Sequence, residues 1–109
     1  MKSSRRHRVV LVTVPDLKIG RKIARAVLDA RAAACVNIMP RLESHYWWQG
    51  PIESSKELLL VLKTTAARLP DLERVVLANH PYETPEFIVL KAEGGSARYL
   101  AWIDDSVSR

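Results

Sequence analysis

The chain carries a single cysteine, Cys35, among its 109 residues. One thiol cannot close an internal disulfide, and no Cys/His spacing of the finger type is present, so neither a disulfide framework nor a structural zinc module is expected to hold the fold together. That pattern suits a reducing compartment, and a cytoplasmic location is expected. Glycine is scarce as well: of the 4 glycines, none belongs to a Gly-rich loop that could cradle phosphate. Nucleophiles with an adjacent base are missing. Cys35 and His80 could pair as thiolate and imidazolium, but no third group orients them, so the chain reads as a binding protein rather than an enzyme, with a weak hydrolase as a lesser alternative. Long apolar runs are absent too. No run approaches the roughly 18 residues of a membrane-spanning helix, and the apolar segment Val9 to Val14 behind the basic start is too short for the h-region of a signal peptide.

What is present begins with charge. The 17 Lys and Arg residues outnumber 12 Asp and Glu, for a net charge of +5. Lys2, Arg5, Arg6 and Arg8 supply four of those positive charges, and the remainder is close to neutral, with no basic block. A nucleic-acid partner is therefore not expected. Residues 1–8 read as a basic, mobile arm, with a transit-peptide remnant as an alternative. Residues 9–109 read as one domain, large enough for a core of its own.

The elements follow from periodicity. Val9 to Val14 is a short β-branched run ending at Pro15, as expected of a central strand buried on both faces. Asp16 is placed to cap a helix over Leu17 to Arg31, in which Ile19, Ile23 and Val27 recur at helical spacing. Ala34 to Met39 alternates as a second strand. Pro40 cannot donate to a ladder and marks a bulge or an edge, and the pattern resumes in Leu42 to Trp48. Gln49-Gly50-Pro51 is a turn, and Ile52 to Thr64 returns as a third strand. Leu69 to Asn79 is a helix with Pro70 in its first turn. A fourth strand spans about Glu86 to Lys91, Gly94-Gly95 is a break, and Ser96 caps a last short helix, Arg98 to Val107. The order β-α-β, hairpin, β-α-β with a final helix predicts an α+β fold: the ferredoxin-like βαββαβ sandwich, one antiparallel sheet with two helices on one face.

The hairpin is too long for that core. Ala34 to Trp48 spans about 50 Å if straight, whereas a domain of this size is only about 34 Å across. An overhanging ribbon tipped by Tyr46, Trp47 and Trp48 is a liability in a monomer, and identical partner chains are the simplest remedy.

Between the second helix and the fourth strand lies His80-Pro81-Tyr82-Glu83-Thr84-Pro85-Glu86. Two prolines stiffen this loop, which carries an imidazole, a phenol and two carboxylates. Polar side chains on a rigid connector suit a binding site; a loop that merely ends the helix is the plainer alternative. Imidazole suits copper and zinc, so His80 is the leading candidate ligand, with Glu83 to complete or orient it. Cys35 by itself reads more readily as an inert buried hydrophobe, Trp102 as an anchor for the last helix, and Lys63 as half of a surface ion pair.

Several stretches together resemble the CutA divalent-cation tolerance proteins: Ala33 to Ile38, Tyr46 to Gly50, Ile52-Glu53, Glu57 to Leu59, Lys63-Thr64, His80 to Glu83 and Tyr99 to Ile103. The resemblance implies a PII-like homotrimer in which long hairpins wrap neighbouring subunits. It implies tolerance of divalent metals and binding of copper, and, from animal members, a partner-protein role connected with a membrane-associated esterase. It also implies a pocket between subunits, with Cys35, His80 and Glu83 toward a metal, and Lys63, Tyr82 and Trp102 lining a ligand site. Some bacterial members carry a further cysteine at the end of the first strand, where this chain reads Val12-Thr13-Val14. A metal or a small anion in that cleft is one expectation. A signalling or scaffold trimer that senses a small ligand is the other.

Overall fold

The computed structural model describes residues 1–108. Its elements are β1 (Lys2–Ser3), β2 (His7–Val14), α1 (Leu17–Asp29), β3 (Cys35–Trp47), β4 (Ile52–Thr65), a 3-10 turn (Ala66–Arg68), α2 (Leu69–Asn79), β5 (Ile88–Lys91), β6 (Gly94–Gly95) and α3 (Ala97–Val107). β3, β4, β2 and β5 form one sheet in that order, and every neighbouring pair is antiparallel. This is the ferredoxin-like α+β sandwich expected from the sequence.

The sheet has one dry face. Val10, Val12 and Val14 alternate inward on β2, and Leu60 and Leu62 oppose them on β4; all five are fully buried against Ile23 and Val27 of α1 and Leu72 and Val76 of α2. Asp16 caps α1, its Oδ1 accepting the Ile19 N–H at 2.8 Å, which satisfies one of the orphan donors of the first turn. Gly20 lets α1 sit close to the sheet: a Cβ there would stand 3.4 Å from Val14 and 3.5 Å from Leu60. The opposite face lies away from α1 and α2, and α3 meets its His7 end through Leu100 and Asp104. Its rows follow the register: Cys35, Lys63, Val9 and Leu90; then Asn37, Val61, Leu11 and Ile88; then Met39, Leu59 and Thr13. Met39, Ile88 and Leu90 are about half exposed there.

The hairpin of β3 and β4 runs past the core and gives the molecule extents of 45 × 26 × 22 Å. The register shifts between Met39 and Leu42, with Arg41 at φ 67°. Pro40 thus marks a bulge, as its missing N–H required. At the tip, Trp48 N–H donates to Pro51 O at 3.0 Å, and Gln49 and Gly50 both take positive φ, 52° and 107°.

The N-terminal arm departs from expectation. It is docked, not loose. Lys2 and Ser3 pair with Gly95 and Gly94, so the expected break at Gly94-Gly95 is a short strand. β2 starts at His7, which is buried. His7 Nε2 lies 2.9 Å from Asp104 Oδ1 and 3.2 Å from Leu100 O, and Arg6 donates to Asp104 Oδ2 at 2.6 Å. Charge and polarity made residues 1–8 look solvated, but their anchors on α3 lie nearly a hundred positions away. The fourth strand also begins two residues late, at Ile88.

Candidate functional site

The stiff loop after α2 faces the outer part of the hairpin, and a cleft of about 740 Å³ separates them. Ser44 to Trp48 and Glu57 form one wall, Tyr82 to Glu86 the other, and Thr13 lies between. α2 ends at His80, whose φ of −93° and ψ of 134° are extended, as Pro81 demands of the residue before it. His80 is then held from both sides. Its Nε2 donates to Thr13 O at 2.7 Å, and its Nδ1 accepts the Tyr82 N–H at 3.2 Å. A carbonyl can only accept and an amide N–H can only donate, so the ring is the neutral Nε2–H tautomer. His80 therefore ties the loop to the end of β2, and its ring packs tilted against Tyr82 with centroids 4.6 Å apart.

Tyr82 reaches back to the hairpin. Its hydroxyl donates to Glu57 Oε2 at 2.8 Å, and Glu57 is only 6% exposed. Burial pushes the Tyr82 phenol well above its ordinary range, and the bond to Glu57 with the charges of Glu57, Tyr46 and Asp16 pushes it further. The phenol therefore remains a hydrogen-bond donor at any physiological pH. Glu86 is raised too, first by burial and then by the charge of Glu57. Two carboxylates that face one low-dielectric space resist joint ionisation. Glu83 completes the acidic lining, and His45, which contacts Glu43 at 2.8 Å, is the only basic-type residue on the walls among the described residues.

The six residues singled out from the sequence fall into three places. Tyr82 and Glu83 line the cleft, with His80 behind it. Cys35 and Lys63 are cross-strand partners on the sheet face away from α1 and α2, where Lys63 Nζ donates to Asn37 Oδ1. Trp102 sits on α3, 45% exposed and stacked on Tyr99 at 5.4 Å. One chain does not bring Cys35 to His80. The Cys35 row meets β2 at Val9, whereas His80 bonds Thr13, four residues or about 13 Å further along the strand. Among the described residues no group of three or more His, Cys, Asp or Glu is gathered to hold a metal. Glu57 and Glu86 are the functional candidates that sequence reasoning passed over. A signal existed for Glu57: it shares the sheet-face parity of Leu59, Val61 and Lys63, so a carboxylate was due on an apolar face.

The CutA1 divalent ion tolerance family model matches residues 8–106. This chain belongs to the CutA1 divalent ion tolerance protein family. The "Divalent-cation tolerance protein CutA" of Thermus thermophilus is 46% identical over 98 residues, covering 90% of this chain and 95% of that protein. The rice "Protein CutA 1, chloroplastic" is 44% identical over 98 residues, 90% of this chain but 55% of that protein, so the chain spans about half the length of such plant relatives. Among solved structures, the Thermus thermophilus divalent cation tolerance protein superposes with a TM-score of 0.90 at 45% identity, covering 92% of this chain and 97% of that one. The CutA1 structure from Oryza sativa has the same TM-score of 0.90 at 41% identity, covering 96% of each chain. These matches assign the family and the fold. No helix among the described residues is long and apolar enough to cross a membrane.

Proposed function

We propose that this CutA1-family chain acts as a homotrimeric divalent-cation tolerance protein. Its acidic cleft, completed by a neighbouring subunit, takes up a divalent cation, with copper among the candidates. The carrying observation is the cleft itself: among the described residues Glu57, Glu83 and Glu86 line it without a Lys or Arg, and burial with the charge of Glu57 raises the pKa of Glu86. A cation arriving there relieves the repulsion between the carboxylates. The same charge disfavours a small anion. Trimerisation is supported by the overhanging hairpin and by the sheet face away from α1 and α2, on which Met39, Ile88 and Leu90 lie about half exposed; packing these between copies removes an apolar patch from water.

The donor set of one chain fits a cation by charge but not a closed copper site. Both ring nitrogens of His80 are engaged, and Cys35 is remote. Soft ligation by Cys35 with His80 or Glu83 therefore requires a second subunit, as does a ligand site that includes Lys63, Tyr82 and Trp102. Carboxylate oxygens favour harder cations than thiolate does. Light scattering at micromolar concentration should give three times the 12.3 kDa chain mass. Calorimetry with copper, zinc and magnesium on wild type, Glu86→Gln, His80→Ala and Cys35→Ser then tests the site. Loss of binding in Glu86→Gln supports the cleft; equal binding by all four proteins removes it.

The second reading is a PII-like signalling or scaffold trimer, without enzymatic chemistry, that binds a small ligand or anchors a partner protein. The satisfied hydrogen bonds of His80 favour it, because they give the residue a purely structural task. It takes over if wild type binds no metal. A cytoplasmic location remains part of the proposal; the plant relatives are named chloroplastic.

A further inference from the structure

At the other end of β2 from the acidic cleft, the docked arm borders a second, smaller and open cavity of about 310 Å³, lined by Lys2 to His7 on one side and by Leu100 and Asp104 on the other. Its charge is opposite. Lys2, Arg5 and Arg6 face one carboxylate, Asp104, and Arg6 already occupies that carboxylate at 2.6 Å. Lys2 and Arg5 have no ion-pair partner among the described residues.

These charges stand on a fixed backbone. Ser4 N–H donates to Glu93 O at 2.9 Å, and Arg6 O accepts the Ala66 N–H at 2.7 Å. His7 N–H donates to Ser4 Oγ at 3.1 Å, closing the turn. Arg8 Nη1 then donates to Arg5 O and to His7 O, both at 2.9 Å. His7, buried between Ser4, Leu100 and Asp104, pins the turn to α3. A mobile basic tail would have to be ordered for each ligand it meets; here most of that entropy is already spent in folding. Concave surfaces of one sign also focus their field more than a flat surface does.

We propose that this cavity is a binding site for phosphate-bearing anions. Lys2 and Arg5 supply the charge, the hydroxyl of Ser3 stands beside them as a donor, and Ser4, Arg6 and His7 act as positioning residues, Ser4 through His7 and the other two through Asp104. The guanidinium of Arg5 matches two phosphate oxygens at once, and Lys2 adds a point charge. The volume suits a phosphate, a diphosphate or the headgroup of an anionic lipid, and these share the recognised chemistry. Binding at this site weakens steeply with salt, because both cations are solvent-exposed.

Gly94 supplies a test that alters shape without altering charge. A Cβ there would stand 2.6 Å from the carbonyl oxygen of Lys2, so Gly94→Ala displaces β1 and opens the cavity. Titration with pyrophosphate at low salt is compared for wild type, the double variant Lys2→Ala/Arg5→Ala, Gly94→Ala and Lys22→Ala, which removes a positive charge on exposed α1. Circular dichroism checks that each folds. Wild type and Lys22→Ala should bind alike, and the other two at least about ten-fold more weakly. A flotation arm uses phosphatidylglycerol vesicles against phosphatidylcholine. Binding in either arm that is lost in both cavity variants supports the site, and the arm concerned names the source of the phosphate. Absence of binding in both arms overturns the proposal. So does equal binding by the double variant, by Gly94→Ala, or a loss of the same size in Lys22→Ala.

Discussion

Tyr82→Phe isolates the one hydrogen bond that joins the loop to the hairpin. The ring stays, and with it the contact on His80; only the hydroxyl leaves. Glu57 Oε2 then loses its donor at 2.8 Å, on a residue 6% exposed. A hydrogen bond to a charged group contributes about 1.5–3 kcal/mol, and an orphaned buried carboxylate forfeits most of it. Tyr82 is itself about one-third exposed, which lets water replace part of the loss, so the expected cost is about 1.5 kcal/mol. For a domain of this size that lowers Tm by roughly 6–12 °C. Stability must be compared at equal protein concentration, because an oligomer's unfolding depends on it. Urea denaturation at neutral pH gives the value. A double-mutant cycle with Glu57→Gln attributes it to the pair: the coupling should exceed about 1 kcal/mol, since the two residues touch. A Tyr82→Phe protein within about 0.3 kcal/mol of wild type, or a cycle without coupling, would refute the reasoning and leave the cleft wall held by packing alone.

Other outcomes follow from the same geometry. Leu62→Ala removes a fully buried side chain between the sheet and its helices and should cost about 2–5 kcal/mol in chemical denaturation. Glu86 has a raised folded pKa, so its favourable contribution is full below the ordinary carboxylate value near 4.5 and is lost as pH rises through the raised value. Glu86→Gln should therefore raise Tm at neutral pH and make little difference at pH 4, as a pH series of melting curves will show. Burial pushes Asp104 up, but the hydrogen bond from Arg6 and the contact with His7 outweigh it and the pKa is lowered. Its contribution is thus present above the ordinary value of 3.8 and fades as pH falls through the lowered one; Asp104→Asn should flatten that acid limb. Deleting Met1 to Arg6 removes the β1–β6 pairing and the Arg6 bond to Asp104 of α3, and should lower stability by about 1–3 kcal/mol rather than leave it unchanged.

The sheet and its helices were legible in the sequence because their signals are local. Period-2 alternation in Val9 to Val14 and in Ala34 to Met39, helical spacing at Ile19, Ile23 and Val27, and the missing N–H of Pro40 each act within a few residues of where they are read. Chain connectivity then left one compact arrangement of four strands and two helices. The stiffness of the His80 loop was legible for the same reason, since two prolines set their own neighbourhood. Tertiary structure decided everything that depends on distant pairs. It placed Glu57 under Tyr82 and beside Glu86, which turned two ordinary carboxylates into a coupled pair. It set Cys35 some four strand positions from His80, which no alternation pattern could report. And it carried Asp104 to His7 and Gly94 to Lys2, so that a segment polar enough to look solvated became part of the fold. Composition records how water would treat each residue alone; burial and charge coupling are properties of which residues meet, and that is set only once the chain has closed on itself.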